Sequence, residues 1–285
     1  MTPEIFASAP CLVAEGPRWH AAEKALYWVD ITGGRVLRKN ADSPVDACET
    51  FDPGLGKIGA FAFGADGRLV LFTERCEVHV AAFGGKAELK WSLPDHGDTR
   101  FNDVFDAGGG VFFCGVAPIR PDVRGELWRF DSAAGRFDCV EPATAGMPNG
   151  MGLSPDGRTF YFVVSDERRV YAYDFDSAAR TISGRRVLCG DFAGDGVPDG
   201  MCVDPSDGSL WVAMWGGGRL ERRAPDGRLL DSIPFSTEKV SSATVFGDRL
   251  YVSTANLPFD EAAFANEGAG CIFILRKDQN EKRRF

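Results

Sequence analysis

The sequence predicts an all-β protein, a β-propeller with six blades. Two observations predict this fold: a pattern of apolar strand cores recurs six times along 285 residues, and long amphipathic helices are absent. A period of about 40–45 residues is typical of a four-stranded propeller blade. The whole chain, residues 1–285, is therefore expected to form a single six-bladed propeller domain.

Each repeat core is a short apolar or aromatic strand that follows a turn. The centres of the cores are Trp28, Phe72, Phe113, Phe162, Trp211 and Tyr251, with separations of 44, 41, 49, 49 and 40 residues. Asp-Gly precedes three of the cores, at 66–67, 156–157 and 207–208, and this pair supplies the positive φ angle that tight hairpins need. Two stacked β-sandwiches are the alternative fold, but sandwich strands do not recur with a blade-length period.

The segments outside the repeats complete this prediction. Residues 5–13 precede the first core and are expected to close the last blade as an additional strand. Residues 258–266 have the best helical pattern, which is short and is interpreted as part of a loop. The charged tail at 276–284 is expected to be solvated.

Composition and charge exclude several classes of function. The net charge of -9 argues against a nucleic-acid partner or an anionic membrane surface, because both would repel the chain. No stretch approaches about 18 consecutive apolar residues, and the first ten residues lack the pattern of a signal peptide. The eight cysteines contain no CxxC pair, so reduced, buried thiols in a soluble cytoplasmic protein are expected.

Four polar segments interrupt the apolar pattern at similar distances before a core. Glu15 precedes its core centre by 13 residues, Asn102 by 11, Asn149 by 13 and Asp199 by 12. In a propeller the innermost strand of every blade lines the central channel, so polar residues at matching positions converge there. Taken singly, Asn149-Gly150 and Asp199-Gly200 could be ordinary turns.

Two carboxylates and two amides around one point would repel one another and remain poorly hydrogen-bonded without a ligand. A bound cation removes that cost. Because every donor is a hard oxygen, the pattern favours Ca²⁺, Mg²⁺ or Mn²⁺ over a metal that prefers thiolates, with Zn²⁺ or Fe²⁺ as further possibilities. The sequence thus predicts a divalent-metal site on the propeller axis.

In these motifs the chain resembles the SMP-30/gluconolactonase/luciferin-regenerating-enzyme-like family of sugar lactonases. The resemblance covers roughly residues 10–275 and rests on the order of several short motifs, namely 15–17 (EGP), 100–103 (RFND), 149–150 (NG), 198–201 (PDGM), 210–213 (LWVA), 215–217 (WGG) and 268–273 (GAGCIF).

The resemblance implies roles for five of these residues. It implies a divalent metal held by Glu15, Asn149 and Asp199, with Asp199 also the candidate general base, and substrate contacts from Arg100 and Asn102. The implied reaction is hydrolysis of an aldonic-acid lactone such as a glucono-, xylono- or arabinonolactone.

One segment departs from the family pattern. After Gly115 certain animal members carry acidic residues that face the substrate, whereas this chain reads VAPIR at 116–120. Arg120 or a backbone group is the candidate to take that role.

Metal-assisted catalysis agrees with what the sequence lacks. It has neither a G-x-S-x-G nucleophile elbow nor an evident Ser-His-Asp set, and its only histidines are His20, His79 and His96. His96, in the loop before Arg100, either borders the pocket or lies on the surface. The alternative functions are a non-catalytic propeller that binds calcium or another protein, and a hydrolase of a different ester or a phosphotriester.

Overall fold

Six four-stranded antiparallel sheets make up the structure, a computed structural model that describes residues 1–120, 122–144 and 146–277. Five of the sheets follow the chain in order, each from an innermost to an outermost strand. The innermost strands contact one another in sequence and the sixth contacts the first, which closes the ring. The six-bladed β-propeller is thereby confirmed. Division of the chain into one domain over 1–285 stays a prediction, and the tail from 278 lies outside the described residues.

The strands have the following bounds. The first is β1 (Glu4–Ala7). The first blade contains β2 (Ala14–His20), β3 (Ala25–Asp30), β4 (Arg35–Asn40) and β5 (Glu49–Phe51). The second contains β6 (Ile58–Phe63), β7 (Leu69–Thr73), β8 (Glu77–Ala81) and β9 (Glu88–Ser92). The third contains β10 (Thr99–Asp106), β11 (Val111–Pro118), β12 (Gly125–Asp131) and β13 (Arg136–Thr144). The fourth contains β14 (Pro148–Leu153), β15 (Thr159–Val164), β16 (Arg169–Asp176) and β17 (Thr181–Cys189). The fifth contains β18 (Val197–Val203), β19 (Leu210–Trp215), β20 (Arg219–Arg223) and β21 (Leu229–Pro234). The sixth contains β22 (Val240–Phe246), β23 (Arg249–Thr254) and β24 (Ile272–Arg276).

The sixth blade is completed by the N-terminal strand. β1 pairs antiparallel with β24, so the sheet order is β1-β24-β23-β22. The closing strand predicted from residues 5–13 is therefore present, although it begins at Glu4 and ends at Ala7. The rest of that segment leads to the first inner strand.

The repeat cores are the second strands of the blades. All six predicted centres lie in β3, β7, β11, β15, β19 and β23. These strands are almost wholly buried, because each is covered by the neighbouring blade on both faces; the strand containing Trp28 is buried at every residue. The hydrophobic core therefore lies between the blades, as in the cluster that joins Phe72 of the second blade to Phe101 and Phe130 of the third.

The one helix among the described residues is α1 (Glu261–Glu267), in the loop between β23 and β24. Asp260 accepts hydrogen bonds from the backbone N–H groups of Ala262 and Ala263 at its N-terminus, and Gly268 ends it with a left-handed φ of 69°. It matches the short helical pattern expected in this loop. No helix of the described residues is long and apolar enough to cross a membrane.

All eight cysteines are free. Five are buried, two are half-buried and Cys139 is exposed. Burial raises the pKa of the Cys11 thiol to about 12 and that of Cys76 to about 11, so both are neutral, packed thiols at physiological pH.

Candidate metal and substrate site

A cavity of about 440 Å³ opens at one end of the propeller axis. We call this end the upper face; it is where the inner strands begin and where the second strand of each blade turns into the third. The lining residues come from all six blades and their connecting loops, and are Val13, Glu15, Ile31, Thr32, Lys57, Arg100, Asn102, Met147, Asn149, Ser165, Asp166, Val197, Asp199, Trp215 and Leu257. Five of the six predicted site residues are therefore brought together.

A bulge at the same place in the inner strands aims these side chains at the axis. In β10, β14 and β18 the pairing with the next strand skips one residue, between Phe101 and Val104, Pro148 and Met151, and Pro198 and Met201. The first residue within each bulge is Asn102, Asn149 or Asp199. Because a bulge bends its strand and re-aims the side chains there, three blades present a polar group at one level of the channel.

Glu15 reaches the same cavity from a different register. The bulge of β2 lies between Glu15 and Arg18, so Gly16 occupies the place equivalent to Asn149, and Glu15 lies one residue earlier. Gly16 has a left-handed φ of 53°, which a residue with a side chain rarely adopts. Glu15 therefore lies one residue out of register with the other three, and its side chain is one methylene longer than that of Asp199.

Asn149-Gly150 and Asp199-Gly200 are inside strands and are not turns. Neither glycine has a positive φ. Their function is close approach: a Cβ on Gly150 would lie 2.4 Å from the backbone nitrogen of Met201, and one on Gly200 would lie 2.3 Å from Ser242 Oγ. The inner strands converge too tightly at this level for any other residue.

A chain of hydrogen bonds joins the side-chain amides of the third and fourth blades to the backbone of the fifth. Asn102 Nδ2 donates to Asn149 Oδ1 at 2.9 Å and to the Pro148 carbonyl at 2.8 Å. Asn149 Nδ2 donates to Ser165 Oγ at 2.9 Å, and Ser165 Oγ donates to the Pro198 carbonyl at 2.6 Å. The network fixes the orientation of both amides and connects them to the strand that carries Asp199.

The two carboxylates are buried without a counter-ion. Glu15 is 8% exposed and Asp199 6%, and neither forms an ion pair with any described residue. Burial, followed by the charges of Asp199 and Asp103, raises the pKa of Glu15 well above its ordinary value. Burial and the charge of Asp103 likewise raise the pKa of Asp199, although Arg100 acts in the opposite direction.

Arg100 is a cation whose charge acts on this carboxylate pair. Its side chain is half-buried and its guanidinium donates one hydrogen bond, to the Phe101 carbonyl at 3.1 Å. Burial lowers the pKa of Arg100, and the charges of Glu15 and Asp199 partly restore it. No carboxylate of the described residues lies within ion-pair distance, so Arg100 does not neutralise the pair.

The residues fit a hard divalent cation. Two buried carboxylates with raised pKa values and two fixed amides provide oxygen donors. The carboxylates also leave negative charge uncompensated, which a dication would neutralise. The described residues contain no group of three or more His, Cys, Asp and Glu placed to hold a metal. The oxygens of Glu15, Asp199 and the two amides are hard donors, which favour Ca²⁺, Mg²⁺ or Mn²⁺ over softer metals.

Arg120 is not brought to this cavity. Its side chain is 55% exposed and pairs with Asp122 at 2.7 Å and Asp98 at 3.3 Å. β11 ends at Pro118, and the following loop carries Arg120 outward to these two acids. The structure thus offers no support for the substrate contact expected of Arg120.

His96 also lies outside the axial cavity. It borders a separate cavity of about 460 Å³ beside the third blade and lies 3.0 Å from Glu126 Oε2. A third cavity of about 290 Å³ lies on the other side of the bulges, and Arg18 and Asp103 are among its lining residues. Asp103 therefore acts on the carboxylate pair from beneath.

The lining residues that were not identified from sequence as site residues include Lys57, Ser165, Asp166 and Trp215. Trp215 is in the 215–217 motif that carries the family resemblance, but no role was predicted for it. The other three are in connecting segments of the upper face, and no local pattern distinguishes them from other surface residues. Only the closed ring brings them to the axis.

Comparison with known proteins agrees with this architecture. A family model described as "SMP-30/Gluconolactonase/LRE-like region" matches residues 13–256. The pentonolactonase XacC of Haloferax volcanii is 35% identical over 96% of this chain and 94% of its own length. The L-arabinolactonase of Azospirillum brasilense is 31% identical, covering 95% and 91%. A solved structure of a luciferin-regenerating enzyme superposes with a TM-score of 0.85 at 25% identity, covering 98% of this chain and 96% of that one.

Proposed function

The chain belongs to the SMP-30/gluconolactonase/LRE-like family, and from that premise we propose that it opens a sugar lactone by hydrolysis assisted by one divalent cation. The lactonase names of its relatives support the reaction class. The observation that carries the metal assignment is the burial of Glu15 and Asp199 on one axis without a counter-ion.

Hydrolysis of a lactone adds water across the ring ester. The acyl carbon–oxygen bond breaks, the ring oxygen becomes a hydroxyl, and the acyl carbon becomes a carboxylic acid that ionises. The reaction needs a stronger nucleophile than neutral water and stabilisation of the negative charge that develops on the carbonyl oxygen. The chemistry that a bound dication supplies is Lewis-acid polarisation of that carbonyl.

The side chains of the pocket provide the remaining functions. Glu15, Asn149 and Asp199 would hold the cation, and Asp199 would also accept the proton of the attacking water. Asn102 has one amide hydrogen directed to Asn149 and another to the Pro148 carbonyl, so its oxygen is free to accept a hydrogen bond from a sugar hydroxyl. Arg100, with no carboxylate partner, orients the ester or a hydroxyl.

The alternative functions are less consistent with the cavity. A propeller that only binds another protein has no need for two buried, unpaired carboxylates, whose burial costs several kcal/mol each without a ligand. A structural calcium site needs no adjoining cavity of about 440 Å³ lined by a half-buried arginine and a tryptophan. The cavity beside the site favours catalysis on a small molecule.

The test is a pH-stat assay over glucono-, xylono- and arabinonolactones with metal-stripped protein and with the same protein after addition of each divalent cation. We expect hydrolysis above the spontaneous rate only with metal, for at least one lactone. Stripped protein with full activity would contradict the metal assignment. The absence of turnover on every lactone with every cation would contradict the lactonase assignment.

A further inference from the structure

The cavity contains a second cation besides Arg100. Lys57, in the loop that enters the second blade, lines the same pocket as Arg100 of the third blade. We propose that these two side chains select lactones that carry an anionic group, such as the free carboxylate of an aldaric acid monolactone. This inference rests on the proposed lactonase function and names its substrate class.

The backbone of Lys57 is held in a defined position. Its carbonyl accepts a hydrogen bond from Glu74 N at 3.0 Å. The preceding Gly56 has a φ of 73°, and a Cβ there would lie 2.3 Å from Glu74 Oε1. On the other side of the loop, a Cβ on Gly34 of the first blade would lie 2.4 Å from the carbonyl oxygen of Gly56, so only glycine fits there. The loop is packed between two turns, so it presents Lys57 at a fixed place.

The ammonium group of Lys57, by contrast, has no partner. The described residues provide neither a hydrogen-bond acceptor nor an ion-pair partner for Lys57 Nζ. Lys90 is paired with Glu88 at 2.7 Å and Lys239 with the Leu257 carbonyl at 2.5 Å, whereas the exposed Lys57, like Lys86, has no partner among the described residues. A lysine whose backbone is held in place and whose ammonium group is unpaired is preorganised to contact a ligand.

Charge balance in the pocket favours an anion. One dication neutralises Glu15 and Asp199, which leaves Lys57, Arg100 and Asp166 as the ionisable side chains of the lining. Asp166 comes from the turn after β15 on the fourth blade, and the two cations come from the adjacent second and third blades. With the cation in place the lining carries a net positive charge, concentrated on the side of Lys57 and Arg100.

The polarity of the cavity is also uneven. Trp215 and Leu257 line it from the fifth and sixth blades, opposite the cationic side. A sugar ring has apolar C–H faces that pack on an aromatic ring, and its substituents extend sideways. When the ester lies at the level of Glu15 and Asp199 and the ring packs on Trp215, a ring substituent extends toward Lys57. An anionic substituent is stabilised there by the charge of Lys57.

The experiment uses two pairs of substrates that differ only at C6: glucono-1,4-lactone with glucaro-1,4-lactone, and glucono-1,5-lactone with its 6-phosphate. The metal-loaded wild type should have a higher kcat/KM for the anionic member of at least one pair, and the pairs distinguish carboxylate from phosphate. Lys57→Met should reduce the anionic-to-neutral ratio about tenfold, equivalent to about 1.4 kcal/mol. Lys57→Glu should reduce it further, and added salt should lower the ratio in wild type more than in Lys57→Met.

The matched control is Lys86→Met. Lys86 is exposed, has no partner among the described residues and lies in the turn between β8 and β9 of the same blade, on the face opposite the cavity. It should leave the ratio unchanged. Equal ratios in wild type and Lys57→Met, or a wild-type preference for both neutral lactones, would overturn the inference and leave the lactonase assignment in place. The absence of turnover on all four lactones and on xylono- and arabinonolactone would overturn both.

Discussion

Two regions of this propeller bury charged side chains in opposite ways. In the fifth blade, Arg223 is only 1% exposed and donates to Glu221 Oε2 at 2.7 Å and to Asp191 Oδ1 at 2.7 Å, while Arg219 binds the other oxygen of Glu221 at 2.9 Å. On the axis, Glu15 and Asp199 are almost as deeply buried and have no counter-ion among the described residues.

The difference separates charges that serve the fold from charges that serve a ligand. A buried ion is tolerated when hydrogen bonds and an opposite charge replace its water. The Arg223–Glu221 group has these within its own blade. Glu15 and Asp199 accept backbone hydrogen bonds from Gly16 and Gly200 but have no opposite charge among the described residues, so a bound cation is the proposed source of that charge. Substitutions in the two regions should therefore have opposite consequences.

The largest effect is expected for Asp199→Asn. It keeps the shape of the side chain but removes the base and one negative charge, so kcat should fall by a factor on the order of 10²–10⁴ with metal saturating. The folded state should tolerate the change, because a buried charge without a partner is removed. The measurement is the steady-state rate together with thermal unfolding of metal-free protein. Turnover at the wild-type rate would remove Asp199 from the mechanism.

Glu15→Gln is the companion variant. It should mainly weaken metal affinity, so excess metal should restore part of its activity, whereas Asp199→Asn should not recover. If both variants respond equally to metal, the assignment of separate ligand and base roles is wrong.

Arg223→Met should act on stability alone. Breaking a buried pair typically costs about 3–5 kcal/mol, and about 3 kcal/mol is expected here because Arg219 remains on Glu221. Denaturant unfolding measures the loss, and turnover per folded molecule should be unchanged. Arg186→Met, which breaks an exposed pair with Asp174, is the control and should change the free energy of unfolding by less than about 0.5 kcal/mol. Equal losses in the two variants would contradict the comparison.

Ser165→Ala should have an intermediate effect on the site. Ser165 accepts from Asn149 and donates to the Pro198 carbonyl, so it orients a proposed metal ligand without lining the metal itself. Loss of such a supporting hydrogen bond typically costs about 10–100-fold in metal affinity or activity. Calorimetric titration of metal-free protein measures the affinity. An unchanged dissociation constant would show that Asn149 is oriented by other contacts.

The smallest effect is a dependence of stability on pH. Burial raises the pKa values of Glu15 and Asp199, so in metal-free protein the folded state holds protons that the unfolded state releases. The free energy of unfolding should therefore fall as pH rises above about 4, by at most about 1.4 kcal/mol per pH unit for each group. Asp199→Asn should flatten this slope, and saturating metal should abolish it.

A paired carboxylate provides the opposite sign. Although burial acts against it, hydrogen bonds from Lys277 and Ser206 hold the pKa of Asp204 below its ordinary value. Its contribution to stability is present above the unfolded pKa and is lost as pH falls through the folded one. Asp204→Asn should therefore reduce the loss of stability on acidification. The two substitutions, Asp199→Asn and Asp204→Asn, should change the pH dependence of the free energy of unfolding in opposite directions. Changes in the same direction would contradict the distinction between the two regions.

Much of the fold could be predicted from local patterns. The apolar strands centred on residues such as Trp28 and Trp211 are covered on both faces, so their composition alone identifies them, and their spacing identifies the blade. The Asp-Gly turns at 66–67 and 156–157 follow the inner strands on the face opposite the cavity, as tight hairpins require. These features depend on residues that are close in sequence. Because the same strand and turn pattern recurs in six blades, the pattern is easier to recognise than in a single copy.

The candidate site was only partly predictable. Asn102, Asn149 and Asp199 share a bulge position that matched offsets can detect, whereas Glu15 lies one residue out of register because Gly16 occupies its place. Arg120 was expected at the substrate and instead pairs with Asp122 on the surface. The loop conformation that decides this is set by contacts that short motifs do not encode.

The sequence by itself determined the number of blades, the strands within them and the type of donor on the axis, because each follows from the local alternation of apolar, polar and turn residues. Tertiary structure alone decided the burial of Glu15 and Asp199 without a counter-ion, the support of Asn149 by Ser165, and the position of Lys57 beside Arg100. The physical reason is that these contacts join separate strands and blades. Glu15 and Asp199 come together only when the ring closes, and Ser165 reaches Asn149, and Lys57 reaches the cavity of Arg100, only when neighbouring strands and blades pack.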